Sequence, residues 1–269
     1  MPVVVITGAA SGIGRACGVH LAGRGYRVVG GDINTDVHPL SETSPVLQLD
    51  VDSDASCESF VQRVLSEHGR IDVLFNNAGF GIAGPAEETS SAEAHAQLET
   101  NFFGITRMCR LALPSMRDQG SGLIVNMSSI GGLIAIPFQP FYSAAKFAVE
   151  GYSEALRFEV SSFGVDVVLI EPSDFKTGFT DRRRIAAASG EGSAYGSRFR
   201  QVLGVAVNDE RTGSDPAAVA MLLERIIRSR RRRFRYTVGD PIVRATPTLK
   251  RIVPWRLAEP LMRSYWGRA

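Results

Sequence analysis

The sequence predicts a single α/β domain: a doubly wound, Rossmann-type, mainly parallel sheet of seven strands with helices on both faces. Three observations predict it. Short runs rich in Val and Ile alternate with stretches of helical spacing through most of the 269 residues. Those runs are apolar on both faces, which suits strands buried between two helical layers. A glycine-rich turn, TGAASGIG at 7–14, joins the first strand to the first helix. Repeated strand–helix–strand units impose right-handed crossovers and gather ligands at the carboxyl ends of the strands.

The first strand is PVVVITG (2–8), ended by glycine. GRACGVHLAGRG (14–25) carries Ala, Val and Leu at helical intervals and stops at Gly25. YRVVGGD (26–32) and PVLQLDV (45–51) are the second and third strands, and SCESFVQRVLSEHG (56–69) is a helix closed by Gly69. IDVLFNNAG (71–79) is the fourth strand with its exit turn, and residues 91–118 read as one long helix. GLIVNMSS (122–129), a helix over 142–162 and VDVVLIEP (165–172) complete the regular part. Residues 178–215, rich in Gly, Ser, Arg and Ala, are expected to form a mobile substrate lid with room for one helix. DPAAVAMLLERIIRS (215–229) resumes as a helix, with Asp215 at the N-cap and Pro216 in the first turn. FRYTVG (234–239) is the seventh strand. Residues 240–269 are a basic C-terminal extension, in which Pro247, Pro254 and Pro260 should break any helix into short pieces.

The composition, 44% hydrophobic and 22% charged, is that of a soluble globular enzyme. The longest apolar runs, VVVI (3–6) and VVLI (167–170), are strand-length and far short of a membrane span. No basic stretch or cleavage site precedes the first strand, so no cleaved signal is expected. Cys17, Cys57 and Cys109 are dispersed, odd in number and suited to free thiols in a reducing cytoplasm. His20, His38, His68 and His95 do not cluster, and the pattern requires no metal. The net charge of +2 hides an asymmetry: residues 225–269 carry 13 Lys/Arg against 2 Asp/Glu, including RSRRRRFR at 228–235.

At the nucleotide end, Gly8, Gly12 and Gly14 let the backbone turn tightly and approach a pyrophosphate at a helix N-terminus. A glycine-rich string alone is equally a plain strand–helix turn; its position here favours the nucleotide. Asp32 ends the second strand 18 residues after Gly14. It reads as an acceptor for an adenosine ribose that repels a 2′-phosphate, with a turn residue as the alternative. Neither Ser11 nor Ile33 is basic, which favours NAD over NADP; Arg15, on the helix, is either solvated or phosphate-facing.

Four features gather at strand ends: NNAG (76–79), Asn101 in TNFFG, Ser128–Ser129, and EPSDFKT (171–177). With Tyr142-x-x-x-Lys146, they make the chain resemble the classical short-chain dehydrogenase/reductase family over residues 3–180. GGLIAIPFQPFYSAAKFAVEG also resembles the hydroxysteroid and retinol dehydrogenase branch. Physical chemistry agrees: Lys146, one helical turn from Tyr142, shares its face, and its charge would move the phenol toward a useful pKa. The resemblance implies Tyr142 as general acid/base and Lys146 as its partner and holder of the nicotinamide ribose. The family's 13-residue spacing selects Ser129 rather than Ser128 to bind the substrate oxygen. Asn101 resembles the residue that holds a relay water, although a polar break in a helix is the plainer alternative. The cofactor set implied is Gly8, Ser11, Gly12, Ile13, Gly14, Asp32, Ile33, Asp50, Val51, Asn77, Ala78, Gly79, Tyr142, Lys146, Pro172, Phe175 and Thr177. Asp50 and Val51 match the adenine position, and Thr177 the carboxamide position. One departure is Ser173, where the family has glycine; its side chain would narrow the nicotinamide pocket or shift Phe175 and Thr177.

The leading expectation is an NAD-dependent oxidoreductase interconverting a secondary alcohol and a ketone, or an alcohol and an aldehyde. Phe179, Ala186–Ala188, Tyr195 and Phe199 of the lid, and the apolar stretch before Tyr142, point to an apolar substrate. The competing class is a nucleotide-sensing or nucleic-acid-binding protein on the same scaffold, motivated by the basic tail. The tail also reads as a peripheral membrane or acidic-partner contact, because residues 242–266 mix Arg and Lys with Ile, Val, Leu and two Trp. A homodimer or homotetramer pairing through 91–118 and 142–162 is what the resemblance implies.

Overall fold

The computed structural model describes residues 1–190 and 192–267, with the side chain of residue 251 set aside. Glu191 of the expected lid, and Arg268 and Ala269 of the basic extension, lie outside the described residues. In chain order come β1 (Val3–Thr7), α1 (Gly12–Gly23), β2 (Arg27–Asp32), β3 (Val46–Gln48), α2 (Asp54–His68), β4 (Val73–Asn76) and β5 (Ile82–Ala83). Next are α3 (Ser91–Leu98), α4 (Gly104–Asp118), β6 (Gly122–Met127), α5 (Pro140–Val160) and β7 (Val165–Pro172). The remainder comprises α6 (Phe179–Arg182), β8 (Arg184–Ile185), α7 (Gly196–Arg211), α8 (Ala217–Arg228), β9 (Arg235–Val238), α9 (Pro241–Ile252) and α10 (Trp255–Trp266).

The seven-stranded sheet has the order β3-β2-β1-β4-β6-β7-β9, and its pairings are parallel. The period of two in VVVI decides which side chain meets which layer. Val4 and Ile6 face α1 and α8, packing with Cys17, Leu21, Val219, Leu223 and Ile226. Val3 and Val5 face α2, α4 and α5, packing with Phe60, Val64, Met108, Met116, Val149 and Leu156. The strand order reverses beside β1, so the crevice between the β1 and β4 exits is the switch point where such sheets take ligands.

Three segments depart from expectation. The long helix over 91–118 is α3 and α4 joined by a π-helical turn, Glu99–Phe103, which contains Asn101. Its start is a capping box: Ser90 accepts from the Glu93 backbone N–H while Glu93 accepts from Ser90. The lid segment holds α6, β8 and α7 rather than one helix. β8 pairs with β5 over two residues, too few to show a periodicity. In the extension only Pro254 separates helices; Pro247 and Pro260 lie inside α9 and α10. Each proline removes one backbone hydrogen bond, a loss offset where the helix is well capped or packed. Asp240 supplies such a cap, accepting from the N–H groups of Ile242 (2.8 Å) and Val243 (3.0 Å).

Two of the six arginines in the basic run serve the framework, while Arg228, Arg230, Arg231 and Arg233 stay exposed. Arg232 donates to the carbonyls of Ile226 and Ile227, both at 3.0 Å, and pairs with Asp166 at 2.7 Å. Arg235 pairs with Glu150 and Glu154 at 3.0 Å. Those arginines are committed to closing the α8–β9 turn and the last strand.

Candidate active site

The strand exits open onto a cavity of about 810 Å³. On the nucleotide side its wall is the TGAASGIG turn. Gly8 and Gly12 occupy the left-handed region at φ 68° and 54°, and a Cβ on Gly8 would lie 2.8 Å from the Ala78 Cα. Ser11 is the N-cap residue of α1, yet its side chain makes no cap bond, and the first turn carries no acidic residue. The positive end of the helix dipole therefore faces the cavity without a local counter-charge. Gly14 does not line the cavity. A Cβ there would fall 2.1 Å from the Gly8 carbonyl oxygen, so it lets α1 approach β1.

Asp32 lines the cavity and accepts from the N–H groups of Ala10 (2.9 Å) and Asn34 (3.0 Å). It is a turn residue that still has lone pairs to offer a ribose. Ile33, Asp50, Val51, Asn77, Ala78 and Gly79 continue this wall, and Pro172, Phe175 and Thr177 face it. Thr7 Oγ1 accepts from the N–H of both Asn77 and Ala78 at 3.0 Å, tying the exit of β1 to that of β4. An open glycine turn, a helix N-terminus and a carboxylate at the next strand end fit the diphosphate and ribose of a dinucleotide.

The catalytic candidates converge on the other side. Ser129 opens a short 3₁₀ turn, its Oγ accepting from Gly131 N–H at 2.9 Å. Tyr142 sits in the first turn of α5, with its hydroxyl hydrogen-bonded to Ser129. Gly131 makes room for the pair: a Cβ there would lie 3.1 Å from Tyr142 Cε1 and 3.3 Å from Ser129 Oγ. Lys146 is buried; its Nζ donates to the Met127 carbonyl at 2.8 Å and stands 5.9 Å from the Tyr142 ring centroid. Asn101 is fully buried and grips the Phe80 backbone, accepting from its N–H at 3.1 Å and donating to its carbonyl at 2.9 Å. All four residues line the cavity. Ser143 instead accepts from the Ile136 N–H at 3.0 Å; Ser128 also lines the cavity but is 2% exposed and packs against Gly132.

Burial, not the lysine, dominates the phenol. It pushes Tyr142 up to about 12 against the Ser129 hydrogen bond, with Glu210 and Asp174 adding to the rise. Burial pulls Lys146 down to about 8 against the charge of Glu150. The lowering expected from Lys146 does not outweigh that burial, and its ammonium donates to the Met127 carbonyl. Tyr142 thus keeps its proton at neutral pH.

Sequence reasoning assigned no role to several residues here, although Asp174 stood out in it as unusual. Arg182, at the end of α6, reaches back to donate to Ser11 Oγ, and its Nη2 would lie 3.9 Å from a Cβ on Gly12. Asp174, Asp209 and Glu210 line the cavity. Burial pushes Asp174 up to about 6, helped by Asp209 and Glu210. Glu210 is held by Arg183 and Thr180. Ser173 lines the cavity, where its side chain is held in place. Its Oγ accepts from the Asp240 N–H at 3.0 Å and fills the space of a Cβ on Gly239, which sits at φ 110°. Of the lid's apolar residues, Phe179 lines the cavity and meets the Tyr142 ring edge-on at 5.9 Å. Tyr195 and Phe199 pack on Phe138 instead. The far wall comes from the extension: Ile242, Val243, Leu249, Val253, Leu261 and Met262 of α9, α10 and their joint. Among the described residues no helix is long and apolar enough to cross a membrane.

A family profile for short chain dehydrogenases matches residues 2–187. The chain is 42% identical over 243 residues to a 3-ketodihydrosphingosine reductase of Bacteroides thetaiotaomicron, covering 90% of this chain and 88% of that protein. It is similar in shape to a short-chain dehydrogenase from Streptomyces avermitilis, with a TM-score of 0.82 and 29% identity over 99% of this chain and 97% of that one. A short chain dehydrogenase/reductase from Burkholderia phymatum in complex with NAD matches with a TM-score of 0.80 and 30% identity, over 93% of this chain and 92% of that one.

Proposed function

The chain belongs to the short-chain dehydrogenase family of nicotinamide-dependent oxidoreductases, and we propose that it interconverts a long-chain 2-amino-3-ketone and its alcohol with NAD(H). The observation that carries this is one cavity with three kinds of wall: the Ser129–Tyr142 pair, the carboxylates of Asp174, Asp209 and Glu210, and the apolar side chains of α9 and α10. The name of the Bacteroides relative supports the same substrate class.

A bound nicotinamide supplies the hydride. Ser129 and Tyr142 would donate to the ketone oxygen, and Tyr142, still protonated at neutral pH, gives its proton as that oxygen becomes a hydroxyl. Lys146, cationic below about 8, supports the phenolate left behind and would hold the nicotinamide ribose. Asn101 would seat a relay water beside it. Gly8, Ser11, Gly12 and Ile13 would hold the diphosphate, with Arg182 adding positive charge. Asp32 and Ile33 would meet the adenosine ribose, Asp50 and Val51 the adenine, and Pro172, Phe175 and Thr177 the nicotinamide. NAD is favoured over NADP because Asp32 repels a 2′-phosphate and Arg15 donates to the His38 carbonyl at 2.6 Å. Asp174 and Asp209 would face the substrate ammonium. Exposed Phe103, Phe147 and Phe158, at the start of α4 and along α5, suit a homodimer or homotetramer.

The test compares a long-chain 2-amino-3-ketone with the matching ketone lacking the amine. NADH-linked kcat/KM about tenfold or more higher for the amine supports the reading, since charge-assisted hydrogen bonds reach that size. Equal values, or turnover with neither, overturn it.

A further inference from the structure

α9 and α10 meet at the rim of the cavity, and their apolar residues divide into two sets. Ile242, Val243, Leu249, Val253, Leu261 and Met262 line the cavity, although Ile242, Leu249 and Leu261 stay 81%, 53% and 64% exposed. Ile252, Trp255 and Leu257, around the Pro254 joint, do not line it and stay 75%, 56% and 63% exposed. Arg256 stands exposed between the last two. Over 240–267 the acidic residues are Asp240 and Glu259, against Arg244, Lys250, Arg251, Arg256 and Arg263. Both acids are engaged: Asp240 caps α9, and Glu259 pairs with Arg263 at 2.7 Å.

Water is a poor environment for three large apolar side chains on one short turn, so a partner is called for. A second copy of the chain is a poor fit, because a stable dimer buries about 800 Å² per partner, well beyond one turn. A lipid surface fits both halves of the pattern: Trp settles at the headgroup level, and arginine meets anionic phosphates. We propose that the α9–α10 turn docks on an anionic bilayer, Ile252, Trp255 and Leu257 entering the headgroup–acyl boundary and Arg256 meeting lipid phosphates. The apolar rim of the cavity then opens toward the bilayer, from which a lipid substrate passes to Tyr142. Docking itself requires no particular substrate headgroup.

The full chain is co-sedimented with vesicles of phosphatidylcholine mixed with phosphatidylglycerol, and with phosphatidylcholine alone. Binding to the mixed vesicles that weakens with salt is expected. Trp255→Glu/Leu257→Glu should lower partitioning on the order of tenfold or more, and Arg256→Glu by about fivefold or more. All variants should turn over a short, water-soluble ketone as the wild type does. If the double variant misfolds, Arg256→Glu carries the test alone, its position being exposed. Equal sedimentation of wild type and variants, or none, overturns the proposal. So does a fall in solution mass in either variant, which would mark the turn as a subunit interface. Absence of vesicle binding by the wild type, with its turnover of the long-chain amino ketone intact, would mark failure of docking alone and leave the substrate assignment standing.

Discussion

Tyr142 and Lys146 are one helical turn apart, yet burial drives them in opposite directions, the phenol up to about 12 and the ammonium down to about 8. The phenol therefore starts the reductive half-reaction protonated, and the lysine is the group that titrates. As pH rises through about 8, Lys146 loses its charge and with it the support for the phenolate. Reduction, followed as kcat against pH, should decline above that point; a profile flat to the pH of the Tyr142 transition would contradict the assignment. Asp174 runs the other way. Its carboxylate is charged above about 6, so KM for the amine-bearing ketone should rise as pH falls through that value. KM for the amine-free ketone should stay level. Asp174→Asn at neutral pH should raise the first KM about tenfold and leave the second alone. Tyr142, Lys146 and Ser129 were legible because local spacing encodes them. Asp174 stood out without a role, and Arg182 was not legible: it meets Ser11 across 171 positions, and nothing local in DRRR marks the arginine that turns inward.

At the scale of elements, α6 bridges both halves of the site with four residues. Phe179 touches Tyr142 at one end, and Arg182 touches the glycine turn at the other. Arg182→Ala should weaken NADH and ADP binding, read by calorimetry, about tenfold, while adenosine binding stays unchanged. Equal loss for adenosine would place the arginine elsewhere. The lid's secondary structure escaped the sequence because α6 and β8 are shorter than a period of their own pattern. The extension escaped it because proline was taken as a helix breaker, whereas Pro247 and Pro260 sit inside helices with one side on the cavity or its rim.

At the scale of the whole molecule, the parallel sheet was legible because strands apolar on both faces have few other solutions. Most of the arginine run is solvated, as a helix end running into a strand would be, but the counter-charges of Arg232 and Arg235 became visible only in the fold. Glu171 is one of these, 1% exposed and 3.4 Å from Arg235. Burial, then Glu150, pushes it up to about 7. Its folded pKa exceeds the unfolded one, so its ionisation opposes folding, and that cost grows as pH rises toward and through 7. Glu171→Gln should raise unfolding free energy by about 2 kcal/mol at high pH and by little in mild acid, measured by urea denaturation. A gain independent of pH would contradict the ionised state. The central claim joins chemistry, cofactor and substrate in one cavity. It is tested most directly by NADH oxidation on 3-ketodihydrosphingosine, with wild type and Tyr142→Phe side by side. The wild type should turn over and prefer NADH to NADPH, with the variant slower by about a thousandfold though still binding NADH. Turnover by the variant at the wild-type rate, or none by the wild type, would contradict it.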